Sequence, residues 1–349
     1  MKAAIVVEVD KAPIYGDFKE TFPQRGEVQV TVAAAALSNV VKSRASGKHY
    51  SSSAQLPFVV GVDGVGRLDD GRRVYFALPR TPYGSMSEMT VVLLSQCVPL
   101  PDELDDVAAA AIGNPGMSAW AAMRERAKLA SGETVLVNGA TGTAGRLAVQ
   151  IAKYMGAKKV IATGRNTEAL KSLANLGADI TIPLVEDGDA LEEAFQEQFS
   201  DGVDVVVDYL WGQSAERLII AGAKAGKDAV PIRFVQIGSV SAPEIALPSA
   251  ALRSSAIELM GSGIGSIPVD RLMKSIADLM QATVLGHFEI ATRTIPLSSV
   301  EETWSTAPLM PRTDLRWHEG GVGNPGGKSR AGWKPVSTPV TRCDCGAVA

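Results

Sequence analysis

The chain has 349 residues, 46% hydrophobic and 21% charged, a composition that supports a packed core and argues against global disorder. At roughly 150 residues per domain, the length fits about two domains. With 34 basic against 38 acidic side chains and a net charge of -4, no basic excess exists to release phosphate counterions, so no nucleic-acid partner is expected. No apolar run approaches the roughly 20 residues of a membrane span, so no membrane partner is expected either.

The opening MKAAIVVEVD carries acidic residues where a signal peptide needs an unbroken apolar stretch, so we expect a native N-terminus and a cytoplasmic protein. The first hundred residues read as β-rich. Strands are predicted over 2–9, 27–32, 59–65, 73–78 and 90–94, the second alternating at period 2 as EVQVTV. Asp63-Gly64 and Asp70-Gly71 mark turns among them. The alanine-rich stretch 101–126 predicts a helix, with Asp105 and Asp106 at its positive end.

From about Glu133 strands and helices alternate. Strands are predicted over 134–138 (TVLVN), 159–163 (KVIAT), 203–207 (VDVVV) and 234–237 (FVQI), with helices over 146–155 and 168–176. This alternation predicts a doubly wound parallel sheet covered on both faces. A helix over 271–280, a strand over 287–292 and a short helix over 298–304, capped by Ser298 or Ser299, follow. Beyond about Ala307 the sequence turns rich in Gly, Pro and Arg and loses any period, so 307–349 is expected to be a disordered tail. Of the three cysteines, Cys343 and Cys345 form a CxC in that tail and Cys97 stands alone, which is too few for a disulfide framework and predicts plain thiols.

The sharpest motif lies where the strand 134–138 passes to a helix: Gly139-Ala-Thr141-Gly142-Thr143-Ala144-Gly145. The spacing is GxxGxxG, with Ala140 and Thr141 where a GxGxxG turn has its second glycine. Gly139 permits a tight turn, Gly142 lets backbone approach a pyrophosphate, and Gly145 allows helix and strand to pack closely. The first helical N–H groups and the helix dipole then hold the phosphates. The second strand ends Thr163-Gly164-Arg165-Asn166, with no carboxylate to hold ribose hydroxyls. Arg165 offers a guanidinium for a 2′-phosphate, with Lys171 a further cation nearby, so NADPH is expected over NADH.

With those residues in place, the chain resembles the medium-chain dehydrogenase/reductase superfamily, in its zinc-independent quinone oxidoreductase-like branch. The segments that carry the resemblance are GEVQVTVAAAALS, LPFVVGVDGVGRL, YGSMSEMTVV, the glycine-turn region, LGAD and GVDVVVDYLWG. It implies an α/β architecture of a GroES-like β-barrel substrate domain plus a Rossmann cofactor domain. Boundaries implied are 1–113 and 281–306 for the substrate domain, 114–280 for the cofactor domain, and 307–349 for the tail. Zinc-dependent members use a Cys and a His-Glu pair; the matching segments here hold Ser38-Asn39 and Gly61-Val-Asp63, so no metal is expected.

The resemblance further implies hydride transfer to an acceptor that is already electrophilic, a quinone or an α,β-unsaturated carbonyl, with hydrogen bonds offered to the developing enolate. Ser38, Asn39 and Tyr50 are the candidate donors; Tyr50 could equally shape the pocket wall. Arg44 through Tyr50 is similar to the R-x-G-x-Y element of that branch with one extra residue. By position, Tyr209, Ile237, Gly238, Ser239, Ser262, Gly263 and Ile264 would line the cofactor crevice. A homodimer joined through 234–260 is also implied. Two other functions stay open on the sequence: an NADPH-dependent aldehyde or ketone reductase, and a non-catalytic NADPH-binding sensor.

Overall fold

The structure is a computed structural model that describes residues 1–49, 52, 55–184, 188–306 and 312–316, all within one compact unit, Met1–Trp317. The chain begins with β1 (Lys2–Val6), β2 (Ile14–Asp17), β3 (Glu27–Ala36) and helix α1 (Asn39–Ala45). β4 (Phe58–Val59), β5 (Asp63–Leu68), β6 (Arg73–Ala77), β7 (Met89–Leu93) and β8 (Cys97–Pro99) follow. β2, β1 and β4 form a small antiparallel sheet. β3 pairs antiparallel with both β5 and β7, and the sheet continues through β6 to β8.

β3 alternates as expected, with Val30 and Val32 buried, then runs on through Ala34, Ala35 and Ala36, all buried, beyond the predicted end at 32. The strand predicted over 59–65 is split in two, because the backbone turns at Gly61 (φ +109°) between β4 and β5.

α2 (Asp106–Ala121) leads from these antiparallel sheets to the parallel one. Its cap is Asp105, whose carboxylate accepts the Val107 and Ala108 N–H groups at 2.9 and 3.0 Å. That satisfies two of the orphan donors of the first turn. One stretch of the helix packs Ala109 and Ala110 with Ala34, Val65 and Tyr75. A later stretch packs Ala119 and Trp120 with Leu147 and Ile151.

The third sheet is parallel. Its elements are β9 (Thr134–Asn138), α3 (Thr143–Tyr154), β10 (Lys159–Gly164), α4 (Thr167–Ser172), β11 (Ile180–Pro183), α5 (Gly188–Asp201) and β12 (Val205–Asp208). α6 (Gly212–Ala225), β13 (Ile232–Gln236), α7 (Ser249–Arg253), β14 (Ile257–Gly261) and α8 (Val269–Leu285) complete it. The strand order is β11-β10-β9-β12-β13-β14. Along β9, Val135 and Val137 face one core with Leu147 and Leu279, while Leu136 faces the other with Phe195, Phe199 and Leu218. Period-2 alternation between two apolar layers is why these strands read as continuous hydrophobic runs. The fold class is therefore the expected one: a doubly wound parallel sheet joined to a curled, mainly antiparallel sheet.

Two predictions near the C-terminal end need correction. The strand expected over 287–292 is instead β15 (Thr292–Pro296). His287 turns with φ +50°, and Phe288 packs edge-on against the Tyr154 ring at 5.5 Å, so this apolar signal belongs to core packing. α9 (Val300–Thr306) follows a single turn at Leu297–Ser299, and β16 (Arg312–Arg316) follows α9. β16 pairs parallel with β15 and antiparallel with β3, so the stretch expected to be tail from 307 contains a sheet strand. Cys343 and Cys345 lie outside the described residues.

Candidate functional site

The parallel sheet reverses its strand order between β9 and β12, which opens a crevice at the carboxyl ends of those two strands. The glycine turn lies there. Gly139 has φ +88°, and a Cβ on it would press against the Leu210 side chain at 2.8 Å. Gly145 has no room either: a Cβ would run into the Gly139 carbonyl oxygen and Ala140. Gly142 is the cap residue of α3, and no side chain caps that helix. Thr143, Ala144 and Gly145 form the first helical turn at the crevice, an arrangement able to receive anionic phosphate. Thr141 packs its side chain against Gly164 at the end of β10.

Beneath the turn lies a buried polar network. The Gly139 N–H donates to Thr163 Oγ1 at 3.2 Å, and Thr163 Oγ1 donates to Asn138 Oδ1 at 2.6 Å. Asn138 Nδ2 donates to Asp208 Oδ1 at 2.8 Å and to Ser214 Oγ at 3.0 Å. Asn138, Thr163 and Asp208 are all 0% exposed. Asp208 also accepts the Leu210 and Trp211 N–H groups at 3.0 and 3.1 Å. Burial pushes its carboxyl up to about 6, with those hydrogen bonds opposing. The three residues lie at or next to the ends of β9, β10 and β12; sequence reasoning did not single them out, and a polar residue closing an otherwise apolar run is the signal that could have found them.

At the end of β10, Arg165 is exposed and has no ion pair among the described residues. Asn166 uses its side chain differently: its Oδ1 caps α4 by accepting the Ala169 N–H at 2.9 Å. Lys171 is engaged by Glu168 at 2.8 Å on the outer face of α4. Arg165 is thus the unneutralised cation of the three positions.

The remaining crevice residues gather at neighbouring strand ends. Ile237 and Gly238 donate their N–H groups to the Asp208 carbonyl, tying β13 to β12, and Ser239 is exposed beyond them. Ser262 donates to the Gln236 carbonyl, Gly263 donates to Ser266 Oγ, and Ile264 is exposed. The Tyr209 side chain does not line the crevice. It is 8% exposed and packs in the core with Val207, Val235 and Ala119. Burial pushes its hydroxyl pKa up, with Ser118 of α2 the polar group beside it.

The other candidate residues sit where β3 passes to α1. Ser38 is buried, and its Oγ caps α1 by accepting the Val41 N–H at 3.3 Å. Asn39 is the exposed first residue of α1. Tyr50 lies outside the described residues. Asp63 is 2% exposed and accepts the Tyr75 hydroxyl at 2.7 Å.

A family model described as zinc-binding dehydrogenase matches residues 144–282. A probable NADPH-dependent quinone reductase of Emericella nidulans is 28% identical over 334 residues, covering 84% of this chain and 92% of its own. A 2-methylene-furan-3-one reductase of Solanum lycopersicum is 32% identical over 214 residues, covering 56% of this chain and 53% of its own. The solved Escherichia coli quinone oxidoreductase in complex with NADPH superposes with a TM-score of 0.76 at 20% identity, covering 90% of this chain and all of that one.

Proposed function

Since the chain belongs to the medium-chain dehydrogenase/reductase superfamily, in its quinone oxidoreductase-like branch, we propose that it is an NADPH-dependent oxidoreductase acting on quinones or α,β-unsaturated carbonyls. The observation that carries the reading is the α3 turn, without a side-chain cap, beside Arg165, without an ion pair, both among the described residues, at the carboxyl edge of the sheet. When bound there, NADPH supplies a hydride. The chain's own residues do the rest. Backbone N–H groups of Thr143–Gly145 hold the pyrophosphate, and the Arg165 guanidinium pairs with the 2′-phosphate. Turns at Ile237–Ser239 and Ser262–Ile264 wall the crevice.

On the acceptor side, Ser38, Asn39 and Tyr50 are proposed to offer hydrogen bonds to the oxygen that gains charge. The reading is also zinc-independent. Ser38 spends its oxygen on a helix cap and Asp63 spends one oxygen on Tyr75, and neither position brings Cys or His. The cofactor-binding portion is placed at about 114–280.

Two finer statements complete the reading. β14 is one of the two edges of the parallel sheet and carries the exposed Leu259, so we place a homodimer contact there. No helix among the described residues is long and apolar enough to cross a membrane, and we assign the protein to the cytoplasm.

The test compares NADPH and NADH oxidation with a quinone, an enone and a saturated aldehyde. Turnover with the first two and not the third is expected. In Arg165→Ala, KM for NADPH should rise about ten- to hundred-fold, the worth of a charge-assisted contact, with little change for NADH. Equal use of both cofactors by wild type, or turnover of the aldehyde alone, would overturn the reading.

A further inference from the structure

α1 carries Ser38 at its start and Arg44 near its end, and the side of the helix bearing Val41, Arg44 and Ala45 borders a cleft. Val41 and Ala45 continue the i, i+3, i+7 stripe that begins at Ser38. Six residues at 1.5 Å rise place Arg44 about 9 Å along the axis from Ser38. Opposite stand Phe58, Pro82 and Tyr83, so the walls are apolar and aromatic.

One charged side chain, Arg44, interrupts those walls. Ser85 lies behind them: it is 1% exposed, and its hydroxyl, without a hydrogen-bond partner among the described residues, sits where a Cβ on the cleft residue Gly61 would go. Arg44 is half-buried and makes no ion pair or side-chain hydrogen bond among the described residues. Burial alone pushes its pKa down, and among the described residues no carboxylate offsets that. The adjoining sequence 50–54, Tyr-Ser-Ser-Ser-Ala, holds no acid either. The other arginine at this rim behaves differently: Arg80 pairs with Glu27 at 2.8 Å and lies over the Tyr83 ring. His49 has its pKa pushed down by burial and, secondarily, by the Arg44 charge, and adds no negative partner.

A half-desolvated guanidinium with no counter-ion, over an apolar floor, matches a carboxylate on an apolar stem. We propose that Arg44 anchors a carboxylate of the acceptor, so that the preferred substrates are apolar quinones or enones bearing an acid group remote from the reacting carbon. This deepens the function proposed above and rests on it for turnover, though not for binding.

The test uses ω-carboxy methyl enones of increasing chain length, together with their methyl esters. In wild type, kcat/KM for the acid should exceed that for the ester by about ten- to hundred-fold at the matching length, the range of a charge-assisted hydrogen bond. Arg44→Met keeps the apolar stem and should collapse the acid-to-ester ratio to near one; Arg44→Lys should restore part of it. A merely structural role would lower both substrates together and leave the ratio intact, which would overturn the proposal. A separate arm titrates phenylbutyrate and its neutral alcohol by calorimetry without NADPH. Binding of the acid alone, weakened about ten-fold in Arg44→Met, supports the anchor even if no acceptor is reduced, and in that case the proposed reaction fails while the site stands. Absence of acid preference in both arms defeats the anchor while leaving the reaction untouched.

Discussion

Two strand-to-helix junctions in this molecule solve the same local problem in opposite ways. Where β3 passes to α1, Ser38 folds its hydroxyl back to accept the Val41 N–H. Where β9 passes to α3, the cap residue is Gly142, and no side chain takes that role. Every helix start leaves N–H groups without intrahelical acceptors. One junction takes one of these groups, the Val41 N–H, with its own side chain; on the function proposed above, the other offers its first turn to a phosphate. That proposed difference between a structural and a binding junction can be broken or sharpened by substitution.

The largest effect is expected at Gly145. Its missing Cβ is the space in which the Gly139 carbonyl and Ala140 sit, so Gly145→Val forces backbone apart in a fully packed core. A loss of more than about 3 kcal/mol in unfolding free energy, with loss of NADPH binding, is the expected result by urea titration and fluorescence. Next comes Gly142→Asp, which converts the binding junction into the structural kind. Gly142 has φ −77° and ψ 167°, ordinary extended backbone, and a Cβ there meets only the Gly139 carbonyl oxygen at 3.8 Å. The new carboxylate caps α3, so stability should hold or rise by a few tenths of a kcal/mol. The same charge repels phosphate, so Kd for NADPH should rise by about a hundred-fold or more. A variant that binds NADPH normally would show that α3 does not face the pyrophosphate.

The network under the glycine turn predicts a pH signature. Asp208 has a folded-state pKa of about 6 against an ordinary 3.8. A raised carboxyl takes its proton in the folded state first, so its contribution favours folding below 3.8 and is lost as pH rises through about 6. Roughly 3 kcal/mol is at stake across that window. Asp208→Asn cannot ionise and keeps the oxygen that accepts from Asn138. Wild type should therefore gain stability relative to Asp208→Asn as pH falls from 6 towards 3.8, read by urea melts; parallel curves would contradict the assignment.

How much of this was open to sequence reasoning follows from where each signal resides. The glycine turn is contiguous, and β9, β10, β12 and β13 are apolar runs buried on both faces, so local pattern suffices. β11 and β14 are edge strands, half exposed, and ITIP and IELMG carry no buried run to mark them. β16 (RTDLR) has no apolar pattern and depends on pairing with β3, almost the whole chain away. The acceptor side was less legible for a related reason. Ser38 as helix cap and Ser38 as substrate donor look identical in sequence, and Arg44 stands out only when its surroundings show that no carboxylate answers it.

The smallest effect expected is at Ser38 itself. Ser38→Ala removes the acceptor for the Val41 N–H in a buried setting, and a lost cap costs about 1 kcal/mol. A cap that does nothing else lowers the unfolding free energy and leaves kcat/KM for an enone within about two-fold. If Ser38 also donates to the acceptor oxygen, its 3.3 Å cap bond is the weaker of its two duties. Turnover then falls about ten- to hundred-fold, with KM for NADPH unchanged. Ser38→Thr separates the two further, since threonine keeps the capping oxygen while its methyl group crowds the cleft side of the junction. Retained stability with lost turnover would assign Ser38 to the chemistry. Lowered stability in Ser38→Ala with turnover kept, and stability recovered in Ser38→Thr, would return it to the cap alone.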